Sequence, residues 1–263
     1  RNALYGGESI NQNYSLRVDF NRILTQTLSF DSLIHRLDND PLTNLDTVSE
    51  ARSGVFHTNF APDKQYQITR SEFISETTFS VPNLPAHLYV NYRDEIRDGH
   101  YQARTLSKCA SCHVVGKSRE INSSTKDFQM GGAVNLGTVN LDYSFTNRRF
   151  RDSAAAPTHT YLDALHPELV SPVFNSRISY DQDNGALPFD VIPDTDKDTH
   201  HVKANLPISD TVSIYAQYVN SNVVNNFTKL EINSHSFAGA FAAQVGRKGL
   251  LTARFNQISI END

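Results

Sequence analysis

Two stretches alternate apolar and polar residues without a fault, Tyr14-Ser15-Leu16-Arg17-Val18-Asp19-Phe20 and Val139-Asn140-Leu141-Asp142-Tyr143-Ser144-Phe145. Successive side chains of a strand point to opposite faces, so this period of two makes each segment a strand with one apolar and one polar face. A helix, with its period of 3.6, has no use for such a pattern. Less regular versions recur over Thr27 to Ile34, Tyr66 to Val81, His87 to Arg93, Thr125 to Leu136, His200 to Leu206, Thr211 to Val219, Lys229 to Val245 and Leu250 to Ile260. About ten strands and no helix are therefore expected. Fifteen Phe and eleven Tyr among 263 residues suit an all-β chain.

The connections add the architecture. Asn21 to Gln26, Pro82 to Ala86, the turn at Gly137, Pro207 to Asp210 and Gly246 to Gly249 are short. Between them fall Asp38 to Gln65, Asp94 to Ser124 and Asn147 to Thr199, polar and much longer than most connections in a compact domain. Tight turns at one end and long loops at the other characterise an antiparallel up-and-down transmembrane β-barrel, whose strands alternate lipid-facing apolar with lumen-facing polar residues. The expected fold is such a barrel, whole or partial, forming one domain over residues 1–263. The alternative is a soluble β-sandwich, whose strands alternate because one face packs on a core.

The only two cysteines stand in Cys109-Ala110-Ser111-Cys112-His113, a C-x-x-C-H spacing that reads as attachment of a c-type haem. Cys109 and Cys112 would form the two thioethers, and His113, as metal ligand, would hold the iron. One covalently attached haem c is the predicted cofactor, carried on a loop at about 94–124. A thioredoxin-like redox pair belongs beside a strand–helix unit, and 104–118 has no helical periodicity. A zinc site needs four convergent ligands, and His113 directly after Cys112 is badly placed to share a tetrahedron with both sulfurs. For the distal side, Met130 is expected to be a packing residue beside Gly131 and Gly132. His57, His100, His159 and His166 lie in or near long connections and rank first among the histidines. Asp181 to Asp183 and Asp194 to Asp198 lack calcium-loop spacing and read as solvated loop charge. Arg148-Arg149-x-Arg151 reads as a solvated strand end.

The net charge is -5 and the basic residues are not clustered. That excludes a nucleic-acid surface and a polybasic membrane anchor. No apolar run approaches the roughly 20 residues of a spanning helix. The chain starts at Arg1 with no signal peptide, so a mature chain or a fragment is expected; strand parity, which asks for a strand before Tyr14, points to a fragment. No paired residues single out a substrate, so the chain is not expected to be an enzyme.

The run Leu84-Pro85-Ala86-His87-Leu88-Tyr89-Val90-Asn91-Tyr92-Arg93, then Lys108-Cys109-Ala110-Ser111-Cys112-His113-Val114 and the alternating pair around Gly137, resembles the outer-membrane barrels that accompany multihaem cytochromes in porin–cytochrome conduits. His166-Pro167, Pro172-Val173-Phe174 and Leu187-Pro188-Phe189-Asp190-Val191 are similar in flavour. The resemblance implies an outer-membrane location, contact with outer-membrane lipid, multihaem c-type cytochromes as partners and a part in electron transfer across the outer membrane. Barrels of that family are much longer, and most are insulating sheaths whose own chain need not carry a haem. The second expectation is a soluble periplasmic or extracellular β-rich monohaem cytochrome serving as a carrier or as a subunit of a haem assembly.

Overall fold

The computed structural model describes residues 2–4, 10–42, 57–108, 113–161, 185–246 and 248–262. It is all-β. The strands are β1 (Asn2–Leu4), β2 (Ile10–Phe20), β3 (Leu24–Leu37), β4 (Thr58–Asn59), β5 (Tyr66–Ser80), β6 (Ala86–Lys108) and β7 (His113–Asn135). They continue with β8 (Asn140–Asp152), β9 (Thr158–Thr160), β10 (Ala186–Pro188), β11 (Thr195–Ser209), β12 (Val212–Asn225), β13 (Glu231–Val245) and β14 (Gly249–Asn262). Twelve of them form one sheet, eleven in the order β1-β2-β3-β5-β6-β7-β8-β11-β12-β13-β14 and the short β4 beside β7. Each of these eleven strands pairs antiparallel with the next, giving an up-and-down sheet. The outer strands β1 and β14 do not pair with each other, so the sheet is open.

All ten strands expected from the alternation are present, most of them longer than expected. The alternation of connections holds in part, since 109–112 and 226–230, at the end of the long connections, are as short as the tight turns. Residues 21–23, 81–85, 136–139, 210–211 and 246–248 turn tightly at one end, while 38–65, 153–194 and 226–230 join strands at the other. One expectation is corrected. Residues 94–124 are not a loop: Asp94 to Lys108 continue β6, and His113 to Ser124 belong to β7. Likewise the connection expected from Asn147 to Thr199 shrinks to 153–194, because β8 runs to Asp152 and β11 begins at Thr195.

The two faces of the sheet differ sharply within about eight residues of the tight turns. One carries Tyr14, Leu16, Val18 and Phe20 of β2, Leu24, Leu28 and Phe30 of β3, and Phe73 and Phe79 of β5. Leu88, Val90 and Tyr92 of β6, Phe128 and Met130 of β7, and Tyr143 and Phe145 of β8 continue it. Val202, Tyr218 and Phe237 extend it across β11 to β13. These side chains are open to the surroundings: Phe20 is 64 % exposed and Leu88 56 %. The few polar groups in this band bond one another, Gln26 donating to Ser75 Oγ at 3.0 Å and accepting from Thr77 at 2.5 Å.

The opposite face is polar and more enclosed. Across β5 to β8 it carries an ion ladder: Arg70 and Arg97 reach Glu95 at 2.7 and 2.6 Å, Arg93 bridges Glu72, Glu95 and Asp127, and Arg148 holds Asp127 at 2.6 Å. Glu72 and Glu95 sit directly opposite each other in the register. Like charges in that position repel, and the flanking arginines offset the repulsion. Tyr89 lies across Gly131, where an added Cβ would meet the tyrosine ring at 2.5 Å.

Candidate functional site

The hairpin of β6 and β7 is far longer than its neighbours. β5 covers β6 only as far as His100, and β8 covers β7 only from Ser123. Tyr101 to Lys108 and His113 to Asn122 therefore stand clear of the sheet as an arm roughly 26 Å long at about 3.3 Å per residue. Bare two-stranded ribbons are marginal in water, and this one is buttressed on both flanks.

On one flank β4 pairs in parallel with Val115 and Gly116, and Phe60 N–H donates to Gly116 O at 2.8 Å. Gln102 exchanges two hydrogen bonds with the Asp40 backbone, at 2.7 and 3.1 Å, and Arg104 reaches the Asp40 carboxylate at 3.2 Å. On the other flank Thr105 and Tyr161 hydroxyls meet at 2.9 Å, and Lys117 donates to Thr158 O while its ammonium lies over Phe60, 5.4 Å from the ring centre. Leu42, Ala103, Val115, Tyr161 and Phe189 are buried here, so the apolar core of the described residues sits at the loop end and not on the sheet.

The anchor of the arm is polar. Arg119, 1 % exposed, donates to Asp152 at 2.6 Å and to Ala155 O at 3.3 Å, and stands 3.6 Å from Asp190. Tyr101 donates to the same Asp190. Burial, reinforced by the Asp190 carboxylate, pushes the Tyr101 phenol up to about 12 from 10.0. The neutral phenol is thus favoured in the folded arm. Its contribution is whole below pH 10 and is lost as the pH rises from 10 through 12. Limited proteolysis of the arm is expected to accelerate across that window in the wild type and to show a smaller rise in Tyr101→Phe.

Cys109 and Cys112 lie outside the described residues, as do His166 and Asp181 to Asp183. The backbone of His113 is described and pairs with Lys108, which puts the four-residue connection 109–112 between the ends of the arm's two strands. Of the histidines singled out, His57 is the one brought to the motif: its Nδ1 accepts the Val114 N–H at 3.0 Å. His159 packs lower on the arm, edge-on to Tyr161 at 5.2 Å and 6.5 Å from Phe60. His100 lies at the foot of the arm, opposite Gln67 and Glu120. Met130 lies in the apolar band level with Val90 and Phe145, roughly 55 Å along the strand from His113 at about 3.3 Å per residue, and is a packing residue.

The structure thus brings the His57 imidazole to Val114, the residue after the C-x-x-C-H motif. The ion ladder and the Arg119 anchor escaped sequence reasoning, since only the register brings their members together. Asp194, Asp196 and Asp198, read as solvated loop charge, instead bond the Asp152 N–H, Arg151 and Asn147. No known family model matches the chain, and no curated protein matches it.

Proposed function

We propose that this chain is a wall of an outer-membrane β-barrel that carries one haem c at the tip of its arm and takes part in electron transfer with multihaem c-type cytochromes. The observation that carries the membrane reading is the exposed apolar face opposite a polar, ion-paired one. Seven residues of β2, Tyr14 to Phe20, span roughly 23 Å at about 3.3 Å each, close to the ~25 Å apolar band of such barrels. In a β-sandwich that face would be covered by a second sheet, and among the described residues nothing packs on it.

Bound haem supplies a one-electron centre. Cys109 and Cys112 anchor it and His113 ligates it; β4, His57 and the Arg119 anchor keep the arm in place. From Asp94, at the edge of the apolar band, to Cys109 the chain covers roughly 50 Å at about 3.3 Å per residue. One haem so far outside a hydrocarbon layer about 30 Å thick cannot carry electrons through it. The remaining centres must come from partner cytochromes, and this chain acts in electron transfer and not as an enzyme.

Expression with the haem-attachment machinery, followed by an absorption spectrum of the denatured, pyridine-treated protein, tests the cofactor. A c-type spectrum that survives acid extraction is expected, and Cys109→Ser with Cys112→Ser should abolish it. Haem that washes out of the wild type overturns the cofactor. Release from membranes without detergent overturns the barrel in favour of a soluble monohaem cytochrome.

A further inference from the structure

We infer that the loop-side margin of the apolar face binds the phosphate of an anionic lipid headgroup through Lys126 and Arg149. The inference rests on the membrane reading above. Lys126 of β7 and Arg149 of β8 are direct register partners, and both are exposed. Counted away from the tight turns, they lie just beyond the apolar band, Lys126 two residues beyond Phe128 on β7 and Arg149 four residues beyond Phe145 on β8.

Among the described residues, neither cation makes a salt bridge or hydrogen bond, whereas the arginines around them are engaged. Arg148, next in sequence, turns to the opposite face and takes both oxygens of Asp127, at 2.6 and 2.9 Å. Arg151 binds Asp196 at 2.6 Å. The acids at the two ends of the Lys126–Arg149 row have other donors: Asp94 accepts from Tyr92 at 3.3 Å, and Asp196 from Arg151 and from Asn226 at 2.7 Å. Two adjacent cations, flanked in the row by Asp94 and Asp196 but hydrogen-bonded to neither, stand at the edge of an apolar surface.

An Arg fork and a Lys ammonium together neutralise a phosphate and hydrogen-bond it. The band beneath would receive the acyl chains, which is why the occupant is a lipid and not free phosphate.

The test uses the full chain in detergent, titrated with phosphatidic acid and read by native mass spectrometry, with phosphatidylcholine and inorganic phosphate as comparisons. Wild type is expected to retain phosphatidic acid at least tenfold better than Lys126→Gln/Arg149→Gln, with Lys203→Gln, on the polar face, unchanged. Equal retention by the double variant overturns the site. Displacement of the lipid by inorganic phosphate at equal concentration overturns the lipid assignment. A chain that stays in solution without detergent defeats the membrane reading itself, a result separable from loss of selectivity in an inserted protein.

Discussion

Gly99→Ala is expected to destabilise the sheet by about 3–5 kcal/mol, the sum of backbone strain and overpacking. Gly99 has φ near +145°, a conformation that residues with a side chain rarely adopt, and an added Cβ would lie 2.1 Å from the backbone oxygen of Gln67. No rotamer relieves that clash, because the obstacle is backbone and the Cβ position is fixed by its own. The strain falls opposite Ile68, one residue before the last β5–β6 pair, Gln67 and His100, at the foot of the arm. Denaturant unfolding of the detergent-solubilised protein reads the global loss, and proteolysis shows whether the arm opens first. A Gly99→Ala protein within about 0.5 kcal/mol of wild type, the range of a neutral surface change, would show that β5 and β6 do not approach this closely.

The second large effect is expected at Arg119. Replacing it with Met leaves the Asp152 carboxylate, whose side chain is 3 % exposed, buried without its partner, and breaking such a pair costs about 3–5 kcal/mol. The double variant Arg119→Met/Asp152→Leu should recover most of the loss, since an apolar pair of similar size removes the stranded charge. Because Arg119 ties β7 to the strand end of β8, the single variant should free the arm while leaving β11 to β14 protected, and hydrogen exchange reads the two regions separately. Equal loss in single and double variants would mean that Arg119 acts by packing and not as a charge partner.

The strands near the tight turns were legible because one of their faces is apolar. Leu88, Val90 and Tyr92 alternate with polar neighbours, and that alternation is the signal. Beyond them the run Asp94-Glu95-Ile96-Arg97-Asp98-Gly99-His100 is polar on both faces, so the period of two disappears although the strand continues. Such residues stay paired through backbone hydrogen bonds and ion pairs with neighbouring strands, which leave no mark in a hydropathy pattern. The arm was hidden for the same reason. Arg148-Arg149-x-Arg151 reads as a solvated strand end, yet consecutive strand residues face opposite ways, and the structure commits Arg148 to Asp127 on the polar face while Arg149 stands on the other face beside Asp196.

The chain's order of residues alone determined that it is strand-rich, that five tight turns punctuate it, and that its two cysteines and His113 share one short motif, since each depends on local spacing. Only the tertiary structure decided that Lys108 and His113 close a hairpin standing clear of the sheet, that His57 reaches the motif from more than fifty residues away, and that Arg119 meets Asp152. Those follow from strand register, a pairing between distant segments that the geometry of either segment by itself does not specify.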